Sequence, residues 1–381
     1  MMRAPTLAQG EWRMSYRTDV KCRVLAWMIA AACSGSAIAG DVVVCRVGSG
    51  AATLSAAAAS VWLERHASDG TLVQTIALPT GVSGSNRRLT LGGTKKGECG
   101  LVVSSDGNYL TLAGYDAAPG TASVSSSATA MVNRIVARVD AAGNVDTTTR
   151  LNSAFDMASV GGAVSVDGSG FWVSGDGASG LGGVWYLAHG ATGGLQILAN
   201  PNDVRTVNIA SGRLFATTNT PTFTSIFSVG TGLPKTAGQS TNLLYGLPIW
   251  QPYGFAFFDR SRSVGGLDTL YVANESTIAA GGGIQKWKFD GSIWYLVTTF
   301  TDGLGTTGVR GLVAEAQGAN IVLYATTVEP SGNKLVRLVD DDNTPPTATV
   351  IATAAANTVY RSVALAWVAP AADVIFTDAF E

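Results

Sequence analysis

Three arginines stand in near-identical surroundings far apart in the chain: Arg205 in VRTVN, Arg310 in VRGLV and Arg361 in YRSVA. A guanidinium is a planar fork of donors that matches a carboxylate or another anion. A fold that gathers the three would make an anion-binding ring. A fold that keeps each in its own repeat would have it bridge backbone carbonyls or an acidic side chain of the next unit. A second candidate is the aromatic pair Trp250 and Tyr253 in the Pro-flanked stretch LPIWQPYGF, where a sugar or peptide could stack at a loop; covering the end of a channel is the plainer role.

Acid–base and metal chemistry have less to work with. The chain holds two histidines, His66 and His189, and both fall in or beside outer hairpins, where a solvated turn residue is the simpler reading than a catalytic base. Asp340-Asp341-Asp342-Asn343 is the densest acidic run. Its oxygens could hold Ca²⁺, but it lacks EF-hand or nonapeptide spacing and reads better as an exposed hairpin tip. No catalytic residue and no cofactor is assigned from these patterns.

The elements that must position these residues form a repeat. Its best copy is Gly100–Tyr115, GLVVSSDGNYLTLAGY, two β-rich runs joined at Asp106-Gly107; looser copies lie at 161–177, 204–220, 253–276 and 309–328. Each copy is followed by a hairpin-like pair, so each block supplies four strands. Tandem four-stranded blocks specify an all-β β-propeller. The second strands at 41–48, 109–115, 171–175, 213–218, 269–274 and 321–327 count six blades; seven results if Arg87–Leu91 belongs to a degenerate one. Tyr360–Trp367 supplies an opening strand without partners and Asp41–Gly48 begins a block without an opening strand, so the two should close one blade. First strands line the channel of such a ring, which is where the three arginines fall.

Composition agrees. Of 381 residues, 46 are Gly and only 14% are charged, which suits short strands and turns. Residues 21–39 read as a secretory signal: Lys21 and Arg23, then apolar Val24–Ala32, then the Ala37-Ile38-Ala39 cleavage pattern, with 1–13 as an awkward extension ahead of Met14. Removing 1–39 leaves 20 basic against 25 acidic residues, a balance without a phosphate-neutralising face, which argues against nucleic acid. It also leaves Cys45 and Cys99, which in an oxidising compartment form either a disulfide or two separate buried thiols. No later run is long and apolar enough to cross a bilayer as a helix.

The segments GDVVVCRVG, VWLERHASDGTLVQTIALPT and GLVVSSDGNYLTLAGYDA resemble a family of uncharacterised secreted bacterial propeller-like proteins, over about Asp41–Pro370. That resemblance implies fold and export and brings no catalytic residue with it. The tail IFTDAFE, Ile375–Glu381, is similar to the I-F-x-D-G-F-E ending of exported Gram-negative proteins, with Ala379 in place of Gly. The expected layout is leader and extension at 1–39, propeller at 40–370 and tail at 371–381. The expected role is a secreted or surface-associated monomeric binding module for a protein, peptide or carbohydrate. The alternatives are a propeller hydrolase or lyase with a channel-mouth site, or a structural envelope or matrix component.

Overall fold

Asp106-Gly107 makes the turn its residue types demand. Gly107 takes φ 77°, and Asp106 accepts from the hydroxyl of Ser104 at 2.6 Å and the N–H of Asn108 at 3.1 Å; such side chain–backbone bonds are why Asp and Gly punctuate turns. The hairpin it closes, Val102–Val103 against Tyr109–Tyr115, is the inner half of a blade. In the computed structural model, which describes residues 40–221, 223 and 225–367, this unit recurs around a ring.

The described residues form six four-stranded antiparallel sheets. Blade 1 is ordered, from the axis outward, Val359–Leu365, Val42–Val47, Val61–His66 and Leu72–Ala77. Blade 2 has Val102–Val103, Tyr109–Tyr115, Arg134–Asp140 and Val145–Leu151; blade 3 has Val160–Val164, Gly170–Gly175, Gly183–Ala188 and Leu195–Leu198. Blade 4 has Thr206–Ala210, Arg213–Thr218, Ser225–Val229 and Thr241–Leu243; blade 5 has Pro252–Phe258, Thr269–Asn274, Gly283–Phe289 and Trp294–Phe300. Blade 6 has Val309–Gln317, Asn320–Thr327, Lys334–Asp340 and Thr349–Thr353.

The ring closes as the sequence implied, with Val42 opposite Leu365 and Val47 opposite Val359. The seven-blade alternative fails at Arg87–Leu91. Only Leu91–Gly92 pairs there, with Ala58–Ala59, and Thr90 exchanges backbone bonds with Tyr115 on the rim of blade 2. The stretch caps an existing blade. Trp172, Trp185, Trp287 and Trp294 are buried in the packing, as strand tryptophans should be. The signal, the tail and the boundary at 370 lie outside the described residues.

One device recurs near the axis. In four blades the inner strand bulges by two residues, Gly161-Gly162, Tyr253-Gly254, Arg310-Gly311 and Arg361-Ser362, opposite the single residues Ser174, Ala273, Thr326 and Cys45. A bulge re-aims side chains and sharpens twist. The small second member lets blades touch: a Cβ on Gly162 would stand 2.7 Å from the Gly100 oxygen, and one on Gly311 2.8 Å from the Ser362 Cα.

In three of these four blades the residue facing the bulge fastens its blade to the next, while Ala273 in blade 5 has no side-chain donor to do so. Ser174 Oγ lies 3.5 Å from the Arg205 carbonyl, and Thr326 Oγ1 donates to the Arg361 carbonyl at 3.1 Å. In blade 4, Thr217 reaches Thr206, which donates to the Tyr253 carbonyl at 3.1 Å. In blade 1 the same position is Cys45, and its disulfide to Cys99 makes the link to blade 2 covalent. Of the two readings open for these cysteines, the structure has the disulfide.

Candidate functional site

The bulges decide which side chains gather at one end of the axis. Tyr253, Arg310 and Arg361 are first members of their bulges, and Arg205 holds the corresponding position in blade 4, where its N–H donates to the Thr217 carbonyl at 2.8 Å. The structure brings Arg205, Arg310 and Tyr253 into one cluster. The Arg205 guanidinium lies 4.4 Å and that of Arg310 5.2 Å from the Tyr253 ring centroid. Both also address Glu275: Arg310 through Nη2 at 2.5 Å and Nε at 3.2 Å, Arg205 through Nη1 at 3.4 Å.

Arg361 is adjacent but engaged differently. Its Nη2 donates to the Gly93 carbonyl at 2.6 Å, while its Nε is buried without a partner. Burial, joined by repulsion from Arg310, brings its pKa down to about 10. The arginines therefore do not form an open ring. Arg310 and Arg361 serve mainly as bridges to an acidic side chain and a carbonyl, and Arg205 alone is left with spare donors facing solvent space.

That space is a recess of about 410 Å³ bordered by Arg205, Tyr253, Glu275, Asp203, Asp176 and the Lys95-Lys96 loop. Its floor is a pinch of only about 20 Å³ between Gly97, Tyr253, Arg310 and Arg361, room for about one water. A separate, less charged hollow of about 240 Å³ lies among the inner strands.

The loop carrying Lys95 and Lys96 is pinned at both ends. Gly92 N–H donates to Glu98 at 2.7 Å, and Glu98 also accepts from the hydroxyls of Tyr115 at 2.6 Å and Ser125 at 2.5 Å. Complete burial pushes the Glu98 carboxyl up, against these donors. Cys99 adds the disulfide. Two exposed ammonium groups are thus presented on a fixed support.

Asp203 stands two residues before Arg205 and is half-buried. Among the described residues its carboxylate has no hydrogen bond and no ion pair, although Arg205 is close enough to pull its pKa down. Burial prevails, with Asp176 adding to it, and the carboxyl is pushed above the ordinary aspartate value. Burial likewise raises the Tyr253 phenol.

The remaining candidates are dispersed. Trp250 does not share a mouth with Tyr253. It stands 64% exposed in a separate apolar groove of about 610 Å³ with Tyr245 and Leu243, while Tyr253 is drawn into the strand and buried. His66 is buried rather than solvated: it packs in the third strand of blade 1 with Nδ1 3.0 Å from the Gly70 carbonyl. His189 pairs with Asp146 at 2.6 Å on the outer side of blades 2 and 3. The acidic run is an exposed tip from Asp341 onward, as expected, but it is anchored, since the buried Asp340 and the exposed Asp342 both bind Lys286 at 2.5 Å. No group of three or more candidate metal ligands occurs among the described residues.

Residue spacing did not point to Asp203, Glu275, Lys95 or Lys96. The available signal was the neighbourhood of the repeated arginine: Asp203 precedes it within one turn of chain, and KKGEC joins lysines to the cysteine of the inter-blade link.

Fold and site together define a six-bladed β-propeller with a charged recess at one end of its axis. No protein-family model and no curated protein sequence matches the chain. Among solved structures it is similar to a candidate 6-phosphogluconolactonase from Bacteroides uniformis, at 13% identity over 82% of each chain and a TM-score of 0.45. It is also similar to a triple arginine variant of AofleA from Arthrobotrys oligospora, at 11% identity over 72% of this chain and 81% of that one, TM-score 0.42. AztD from Citrobacter koseri matches at 10% identity over 84% and 97%, TM-score 0.29.

Proposed function

We propose that this protein is a binding module that takes a small polar ligand in the axial recess. The observation that carries this is Arg205: it is mostly buried, stacked on Tyr253 and oriented at a solvent-filled recess, yet it makes only one long bond to a carboxylate already held by Arg310. Donors held in place on the Tyr253 ring and left facing the recess are preorganised for a charge-assisted hydrogen bond to a ligand. The two histidines lie away from the recess, which favours binding over hydrolytic or lyase chemistry there. The leader-like residues 1–39 and the disulfide support the companion proposal that the chain works outside the cytoplasm, in the periplasm, on the surface or beyond.

The test is a thermal-shift screen of sugars, organic acids, amino acids and short peptides on the full chain and on Arg205→Met. Loss of a charge-assisted contact should weaken a true recess ligand by about tenfold to a hundredfold. Hits that bind the variant equally well would move the site elsewhere, and a screen without hits would remove the reading.

A further inference from the structure

The recess presents unused hydrogen-bonding capacity of both signs, and among the described residues no hydrogen bond joins the two. Asp203 and Arg205 sit on the same lead-in to the inner strand of blade 4, but no ion pair joins them among the described residues. Arg205 turns onto the Tyr253 ring, 4.4 Å away, and keeps most of its donors. Among the described residues the Asp203 carboxylate accepts no hydrogen bond. The Tyr253 hydroxyl, close enough for a Cβ on Gly97 to stand 3.3 Å from it, has no hydrogen-bond partner among the described residues.

A purely anionic ligand would satisfy Arg205 and leave Asp203 and Asp176 opposing it; a purely cationic ligand would reverse the fault. A neutral sugar would bring a counter-charge to neither group. One ligand class answers both. We propose that the recess binds a compact zwitterion, a free amino acid, with its carboxylate on Arg205 and its ammonium on Asp203. This rests on the binding reading above.

Neighbouring groups fit these roles. Glu275 does not repel the ligand carboxylate strongly, because Arg310 holds it through two hydrogen bonds. Asp176 is fixed by Asn202 Nδ2 at 3.0 Å and the Gly177 N–H at 2.8 Å, and it reinforces the negative side beside Asp203. Lys95 and Lys96 on the rim assist carboxylate entry. The recess volume of about 410 Å³ leaves space for a side chain, and the pinch beneath it stops the ligand from passing along the axis.

The experiment is isothermal titration of the full chain with the standard amino acids. For each binder it is repeated with the N-acetyl derivative, the methyl ester and the corresponding simple carboxylic acid. The expected result is that a free amino acid binds and that blocking either end weakens it at least about tenfold, with Arg205→Met and Asp203→Asn doing the same. Circular dichroism and melting curves establish that the variants are folded; the unmodified protein with blocked ligands keeps the test valid if they are not. Blocked and free forms binding equally would overturn the zwitterion. Binding only of simple acids or sugars, abolished by Arg205→Met, would overturn it while leaving the recess as a binding site. No binding by any ligand would overturn both.

Discussion

Glu275 gives one oxygen to Arg310 at 2.5 Å and offers the other to Arg205 across 3.4 Å. The asymmetry separates a structural arginine from a binding one. Removing one partner of a buried pair costs about 3–5 kcal/mol, because the other charge is left desolvated. Arg310→Met should destabilise by about 3 kcal/mol, at the low end because Arg205 can still reach Glu275. Arg205→Met should cost about 1 kcal/mol or less and act on ligand affinity instead. Urea unfolding of both variants measures the contrast; equal losses would remove the division of labour.

The Cys45–Cys99 link joins residues separated by 54 positions. On the chain-entropy account, closing a loop of that size stabilises by about 4 kcal/mol. A Cys45→Ala/Cys99→Ala variant, or the unmodified protein under reducing conditions, should lose roughly that much. A loss below about 1 kcal/mol would mean that the bonds around Gly93, whose N–H donates to the Ala57 carbonyl at 3.0 Å and whose carbonyl accepts from Arg361 at 2.6 Å, already hold blades 1 and 2 together.

Gly162 touches the Gly100 backbone, with the alanine Cβ predicted 2.7 Å from its oxygen. Because the obstacle is main chain, Gly162→Ala should cost about 1–3 kcal/mol. Gly81 has nothing within 4 Å and is exposed, so Gly81→Ala should change stability by no more than about 0.5 kcal/mol. Melting curves for the pair would show whether close approach of neighbouring blades is strictly required.

Asp146 lowers its carboxyl to about 2: burial pushes the other way but is outweighed by the N–H and hydroxyl of Thr148 and by His189, with Arg138 at 3.2 Å as a further cation. A folded-state pKa below the unfolded value of about 3.9 stabilises the fold above that value. The contribution should therefore be lost as pH falls from about 4 towards 2. Stability of Asp146→Asn measured across that range should show a shallower acid decline; an unchanged slope would assign the decline to other carboxylates.

Period and turn chemistry made the fold legible. Asp-Gly and its relatives mark the hairpins, and the unpartnered strands at Asp41 and Tyr360 imply their own pairing. The arginines were legible as a repeat because each follows an apolar residue and precedes a small one, but the bulges that orient them leave no pattern a strand period would reveal. Trp250 and Tyr253 are three residues apart and looked like one feature, yet Tyr253 belongs to the strand and Trp250 to the loop before it. Asp203, Glu275 and the Lys95 loop come from three separate parts of the chain. Only ring closure places them around one recess. His66 read as a turn residue because its neighbours are polar, whereas strand alternation turns it inward beside Tyr360.

The closing blade also sets how the molecule responds to pulling. Val42 faces Leu365 and the chain leaves both at the same end of the sheet, so tension between them loads the ladder one hydrogen bond at a time, as in a zipper, instead of shearing all bonds together. Such a seam opens at low force. It can run only as far as Val44, because Cys45 is covalently tied to Cys99, and beyond that residue further extension must pull blade 2 along with blade 1.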